Sequence, residues 1–322
     1  MRVVYFGTPD FAVPTLRALA AAVDFDVVLV VTQGAKGPSP VERVANELEL
    51  PVYRPDTLRN GKAREPLLGA HADLFVVAAF GLILGPRTLA IPRLGSVNVH
   101  PSLLPQYRGA SPIMAAVREG LTETGVSLIV MDAGIDTGAV VSVERLRTAT
   151  DDTTASLGAK LADLGATQAA RDIPRWVHGE LSAVPQQGPA SLTRTLNKAD
   201  GWIDWSQDAA EIERHVRAMW PWPRAWTTIA GSPLQVHKAR VVGPNELDVF
   251  STSTEPGTVV PAKKRLIVAC GSGALELLVI EAAGRRAMSG SAFLNGLRTP
   301  LVTVGDAGAP PPQPALIVPI PA

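Results

Sequence analysis

Three apolar runs near the N-terminus leave the architecture little freedom. Val3–Phe6, Asp26–Val31 and Leu74–Ala79 are nearly continuous stretches of branched, aromatic or small side chains, and each meets a glycine soon after its last residue. They are short for helices and rich in valine, so they read as strands. A strand that is apolar on both sides has to be covered on both faces, which a parallel sheet flanked by helices provides. The intervening segments supply those helices. One lies near Val13–Ala22 after the Gly7-Thr-Pro-Asp10 turn, one runs from Ser39-Pro40-Val41-Glu42 to about Leu48, and a long one runs from about Thr153 to His178. Ser39 and Glu42 have the spacing of a capping box, with proline at the first helical position. Ser96–His100, Thr124–Met131 and Ala139–Arg147 complete the strands. The expected fold class is α/β.

From Ala183 to Asn197 this pattern dissolves into Pro, Gln, Gly, Ser and Thr, the composition of a connection between domains. Asp208-Ala-Ala-Glu211 reads as a second capping box, opening a helix to about Met219. Segments of β character follow at Ala225–Ile229, Leu234–Ala239, Gly257–Val260, Arg265–Cys270 and Leu275–Ile280. Short strands at that spacing fold as a small barrel or sandwich. The expected organisation is one domain over 1–182, a linker over 183–207, a second domain over 208–305, and a disordered tail rich in proline and alanine over 306–322.

Composition narrows the function classes. Lysine plus arginine equal aspartate plus glutamate at 30 each, so bulk charge announces no polyanionic partner, while a local basic patch remains open. The single cysteine, Cys270, excludes an internal disulfide framework and fits a reducing compartment. Met1 opens no signal peptide, and no apolar run approaches the roughly 18 residues of a membrane span. A soluble, cytoplasmic protein with no membrane partner is expected. His71, His178, His215 and His237 lack ligand-like spacing, so no metal is assigned. Gly7-Thr-Pro-Asp10 is not a dinucleotide fingerprint.

The chemistry concentrates at the end of one strand. In Ser96-Val-Asn-Val-His100, Val97 and Val99 alternate with Asn98 and His100, which puts the two polar side chains on one face. Pro101 ends the ladder, and Pro105, Gly109 and Pro112 hold the next residues in a loop. Polar groups at the carboxyl end of a buried strand stand where open α/β sheets place their sites. Met131-Asp-Ala-Gly-Ile-Asp-Thr-Gly138 offers two carboxylates, Asp132 and Asp136, on a glycine-punctuated loop. An amide donor, an imidazole and a carboxylate suffice for acyl transfer to an amine. The amide of Asn98 stabilises the oxyanion, His100 moves the proton, and Asp136 orients the imidazole or the water that accepts the proton. The same residues are also compatible with a capped strand end and two ordinary Asp turns, and spacing alone leaves both readings open.

These residues also carry a resemblance. Gly7-Thr-Pro-Asp-Phe11, Val31-Thr-Gln33, Pro38-Ser-Pro-Val41, Phe80-Gly-Leu-Ile-Leu84, Asn98-Val-His100, Ser102-Leu-Leu-Pro105, Arg108-Gly109, Glu123-Thr-Gly-Val126 and Met131 to Gly138 occur in sequence, followed by Ile203-Asp-Trp205 and Pro221-Trp-Pro223. In this order they resemble the 10-formyltetrahydrofolate-dependent formyltransferases, and the Ile-Asp-Trp linker and C-terminal domain resemble the branch that acts on methionyl-tRNA. The resemblance implies a Rossmann-like formyltransferase domain followed by an OB-like β-barrel domain. It implies that Asn98, His100 and Asp136 are the catalytic trio. Phe80, Gly81, Leu82, Ile83 and Leu84 would line the pterin pocket, and Ser102, Leu103, Leu104 and Pro105 the neighbouring loop. The implied reaction moves the formyl group of 10-formyltetrahydrofolate to the α-amino group of methionine on initiator tRNA, with no metal and as a monomer.

The chain departs from the family's pattern in the interval between Gln33 and Pro38. A long basic loop is usual there, and here only Gly34-Ala-Lys-Gly37 is found, leaving Lys36 as its one cation. The region from Asp208 onward has a slight excess of Lys and Arg, and Lys263-Lys-Arg265 and Arg285-Arg286 are its best local candidates for phosphate contact, alongside Arg108 in the first domain. Two rival readings stand beside this one. One is a formyltransferase with a different acceptor, an amino-sugar nucleotide or glycinamide ribonucleotide; the other is a non-catalytic nucleic-acid-binding relative.

Overall fold

The computed structural model describes residues 1–34, 37–243, 246, 254–297, 301–305, 308–311 and 313–320. In chain order the first half comprises β1 (Arg2–Gly7), α1 (Val13–Ala21), β2 (Asp26–Val31), α2 (Pro40–Glu47), β3 (Val52–Tyr53), α3 (Gly61–Gly69), β4 (Leu74–Ala78), α4 (Pro86–Leu89), β5 (Ser96–His100), β6 (Arg108–Gly109), α5 (Pro112–Arg118), β7 (Glu123–Val130), β8 (Val140–Arg147) and α6 (Thr154–Val177). Seven strands make one sheet in the order β3-β2-β1-β4-β5-β7-β8. The first five run parallel. β7 runs antiparallel to both β5 and β8. The β7–β8 connection contains no helix, and a parallel return needs a crossover of about a dozen residues or more. β2 and β3 lie on one side of β1 and β4 and β5 on the other, so the topological switch point falls between the carboxyl ends of β1 and β4.

Helix α6 fixes which side of β5 is apolar. Thr153 and Ser156 cap its start reciprocally, each hydroxyl accepting from the other's backbone N–H at 3.1 and 3.0 Å. Gly165 then passes so close beneath β5 that a Cβ there would lie 2.6 Å from Cγ1 of Val99. Val99 is buried against the helix, which leaves Asn98 and His100 to project from the opposite face. The Ser39 cap accepts from Glu42 N–H at 3.0 Å. The reciprocal half of that box is missing, because the buried Glu42 carboxylate pairs with Arg54 instead. Asp208 likewise caps its helix through Ala210 N–H, with no return bond from Glu211.

The second half contains β9 (Ala190–Thr193), α7 (Ala209–Ala218), β10 (Ala225–Ile229), β11 (Ser232–Val241), β12 (Val259–Val260), β13 (Ile267–Ala269), β14 (Ala274–Ala282), β15 (Met288–Ser289), α8 (Gly290–Asn295) and β16 (Ile317–Ile320). Strands β10-β11-β14-β13-β12, with β15 on β14, form a curled antiparallel sheet, half of a barrel. Helix α7 packs on α5 and on β11, and one apolar cluster runs from Val3 and Val99 through Ile212 and Val216 to Leu275.

Two expectations need correction. The stretch read as linker contains β9, and the tail read as disordered contains β16. These strands pair with each other and with β6 in a third sheet, order β16-β9-β6. The described residues of the tail are held by backbone and buried contacts that composition does not reveal. Leu316 is buried, and the Arg194 guanidinium donates to Pro314 O at 2.7 and 3.1 Å. Pro319 is accommodated because β16 is an edge strand.

Candidate active site

The alternation in β5 delivers Asn98 and His100 to the carboxyl end of the sheet, and the loop after β7 brings Asp136 to meet them. Asp136 Oδ1 accepts from the Asn98 amide at 3.2 Å. Its Oδ2 accepts from Gly109 N–H at 2.8 Å and lies 3.5 Å from His100 Nδ1. The other ring nitrogen, Nε2, is 3.0 Å from Tyr107 O. A carbonyl only accepts, so Nε2 carries a hydrogen, while Nδ1 faces a carboxylate. His100 is 3 % exposed, and the Asp136 side chain 15 %. Asn98 keeps a second amide hydrogen beyond the one given to Asp136.

The two aspartates of the glycine-punctuated loop separate cleanly. Asp132 Oδ1 accepts from Gly134 N–H at 3.0 Å and from the Thr137 hydroxyl at 2.6 Å, which is turn chemistry. Asp136 has a left-handed backbone, φ +51°. Gly138 approaches Val130 O too closely to admit any side chain. Gln186, in the stretch read as linker, completes the loop. Its amide N–H₂ donates to Asp136 O at 2.7 Å and to Gly138 O at 2.9 Å. Its oxygen accepts from Arg108 Nε and Nη2 at 3.1 and 2.7 Å. Sequence reasoning missed Gln186, and likewise Ser191, whose hydroxyl accepts from Tyr107 N–H at 2.8 Å. Neither stands in a periodic pattern, and both lie far from β5 along the chain.

The flanking loops are built as follows. Ser102 donates its hydroxyl to Gln106 O at 2.6 Å, and its carbonyl accepts from the Ser127 hydroxyl at 2.7 Å. Ser127 also accepts from Leu104 N–H at 3.1 Å, so one serine on β7 pins the Ser102–Pro105 turn. After β4, Phe80 packs edge-on to Phe6 and Leu84 is buried, while Ile83 is 73 % exposed. Gly81, Leu82 and Ile83 line a cavity of about 360 Å³ with residues 56–59 opposite. That volume lies in the range of small-molecule sites. A larger cavity of about 440 Å³, bounded by Arg118, Arg194, Asp200, His215 and residues 309–311 and 313–316, shares no residue with the trio or with the Phe80 loop.

The expected cations are placed unevenly. Arg108 is half-buried and bonded to Gln186. Arg265 bridges Glu246 and Glu276, both at 2.8 Å. Lys263 and Lys264 are exposed, and Lys36 lies outside the described residues. Among the described residues, no group of three or more His, Cys, Asp and Glu is arranged to hold a metal ion, and no helix is long and apolar enough to cross a membrane. Cys270 is buried, which pushes its thiol up to about 12.

Comparison with known proteins addresses the family directly. The formyl transferase family matches residues 1–172, and the formyl transferase C-terminal domain matches residues 195–298. Over 304 residues the chain is 40 % identical to the methionyl-tRNA formyltransferase of Methylococcus capsulatus, covering 92 % of this chain and 96 % of that one. The chain belongs to the methionyl-tRNA formyltransferase family. The formyltransferase of the same name from Myxococcus xanthus is 42 % identical over 306 residues, covering 92 % of this chain and 95 % of its own. Among solved structures, the sugar 3N-formyl transferase WlaRD, in the presence of dTDP and 5-N-formyl-THF, superposes with a TM-score of 0.65 at 17 % identity, covering 89 % of this chain and 99 % of that one. At that identity the likeness concerns the formyltransferase fold alone.

Proposed function

We propose that this chain transfers the formyl group of 10-formyltetrahydrofolate to the α-amino group of methionyl-tRNA, with Asn98, His100 and Asp136 as its catalytic residues. The observation that carries the reading is the convergence of an amide, an imidazole and a carboxylate within 3.5 Å contacts from strand β5 and the loop after β7. The folate supplies a formyl carbonyl on nitrogen, and the incoming amine is itself the nucleophile. Asn98 donates its second amide hydrogen to the carbonyl oxygen as charge develops there. His100, its Nε2–H held by Tyr107 O, takes a proton at Nδ1 from the attacking nitrogen and returns it to the departing nitrogen. Asp136 faces Nδ1 while it carries that proton and accepts from the Asn98 amide. In this reading the pterin occupies the cavity of about 360 Å³ lined by Gly81, Leu82 and Ile83, and the Ser102–Pro105 turn is the neighbouring loop.

The reading includes the initiator tRNA as acceptor and a monomeric, cytoplasmic enzyme. Of the cations first considered for the tRNA, Lys263, Lys264, Arg285 and Arg286 are exposed, whereas Arg108 and Arg265 have partners within the chain.

Purified protein supplied with 10-formyltetrahydrofolate is expected to formylate initiator Met-tRNA faster than elongator Met-tRNA. The His100→Ala variant is expected to fold, by circular dichroism, and to transfer nothing measurable. Turnover of an amino-sugar nucleotide with none of Met-tRNA would overturn the assignment.

A further inference from the structure

We infer that Gln186 is a positioning residue that sets the distance between Asp136 and His100, an inference resting on the function proposed above. A glutamine amide has two N–H donors and one oxygen with two lone pairs. Gln186 uses all four, toward Asp136 O, Gly138 O and the two Arg108 nitrogens. The groups it joins belong to the two loops of the site. On one side is the backbone of Asp136, a non-glycine residue at φ +51° that surrounding contacts must hold there. On the other is Arg108, which sits between two backbone groups of the site. Tyr107 O contacts His100 Nε2, and Gly109 N–H donates to the Asp136 carboxylate.

Gln186 is itself fixed from both ends. Two residues before it, Val184 and Val140 exchange backbone hydrogen bonds at 2.8 and 2.9 Å. Beyond it, Ser191 accepts from Tyr107 N–H, and β9 pairs with β6. The segment 184–193 is therefore a splint across the two loops, with Gln186 as its cross-piece. Arg108 acts through Gln186 and has a structural task separate from any contact with nucleic acid.

The test is a double-mutant cycle on the full-length chain. Gln186→Ala is expected to lower kcat about 10- to 100-fold, the range for misplacing a catalytic group by about 1 Å. KM for Met-tRNA and for folate should move less than about threefold. Gln186→Glu keeps the acceptor for Arg108 but turns an oxygen toward two carbonyls, so it should be no better than alanine. Arg108→Ala should lower kcat less, and Arg108→Ala with Gln186→Ala should be no worse than Gln186→Ala alone. Amide hydrogen exchange reads the same clamp without turnover. Residues 131–139 and Gly109 should exchange faster in Gln186→Ala, with the melting temperature nearly unchanged, whether or not the wild-type chain formylates Met-tRNA. Unchanged exchange in both segments overturns the inference, as does wild-type kcat in Gln186→Ala. Additive losses with a raised KM for tRNA in Arg108→Ala would also overturn it, making Arg108 a direct tRNA contact. A wild-type chain that formylates no Met-tRNA, with the exchange difference intact, would instead overturn the function.

Discussion

The end of β5 and the outer face of the C-terminal sheet satisfy their polar groups in opposite ways. At β5 the partners are largely backbone. Tyr107 O takes one side of His100, Gly109 N–H takes one oxygen of Asp136, and Asn98 retains a free donor. On the C-terminal sheet the charges close on one another. Arg240 and Arg265 both reach Glu246 and Glu276 at 2.7 to 2.8 Å, and the Arg240 guanidinium holds the Glu246 carboxyl down at about 2. A closed ring of ions has nothing left to offer a ligand, and in the open its pairs contribute little to stability. Residues positioned by main-chain groups keep their remaining hydrogen-bonding capacity for chemistry. Charged residue counts therefore say less about function than which donors stay uncommitted.

The largest expected effect tests that distinction. Asn98→Ala should cost about 10²–10³ in kcat, as loss of an oxyanion donor does. Arg240→Ala, which opens the ion ring, should leave kcat unchanged. Steady-state formylation kinetics on both variants decide it. An Asn98→Ala enzyme within tenfold of wild type would mean that the uncommitted donor has no role, and the contrast between the two regions would lose its functional content.

Two histidines sharpen the comparison in a different observable. His100 faces a carboxylate, whereas His215 on α7 is 9 % exposed, and burial, with the nearby Arg118 charge, pushes its pKa down to about 4. In the unfolded chain a histidine titrates near 6.5. Between those values the unfolded state binds more protons, so the contribution of His215 to stability is present in full above about pH 6.5. It declines as the pH falls toward 4, with an upper bound on the order of 3 kcal/mol. Denaturant melts of wild type and His215→Leu across this range should show a flatter pH dependence in the variant. Identical slopes would mean that the buried C-terminal histidine is not the titrating group.

The sequence was legible where local signals and tertiary contacts agree. The apolar runs of β1, β2 and β4 needed helices on both faces and received them. Val99, alternating with Asn98 and His100, indeed packs on Gly165 of α6. Spacing alone does not separate Asp132 from Asp136, both Asp residues in glycine turns; the family resemblance points to Asp136, and the approach of Gly109 and Asn98 picks out the same residue. The Gly61–Gly69 helix was hidden by its internal Pro66 and terminal glycines. Gln186, β9 and β16 left no periodic trace. The two strands come from pairing with segments far away in sequence, Ile317 with Thr193 and Arg108 with Leu192, and short strands held that way need little intrinsic preference.

The smallest expected effect lies where the C-terminal sheet retains exposed cations. Lys263 and Lys264 are exposed beside the closed ring, while Arg265, the third member of the cluster, belongs to it. If the pair touches phosphate, Lys263→Ala and Lys264→Ala should each raise KM for Met-tRNA severalfold. Each should also lower the slope of log KM against log salt by about one, because each contact releases about one counterion. Arg265→Ala should instead lower the melting temperature slightly and leave the salt slope alone. A salt slope unchanged in both lysine variants would identify the pair as solvated turn charges. The tRNA would then be gripped elsewhere, and the C-terminal sheet would present no uncommitted charge to it along this edge.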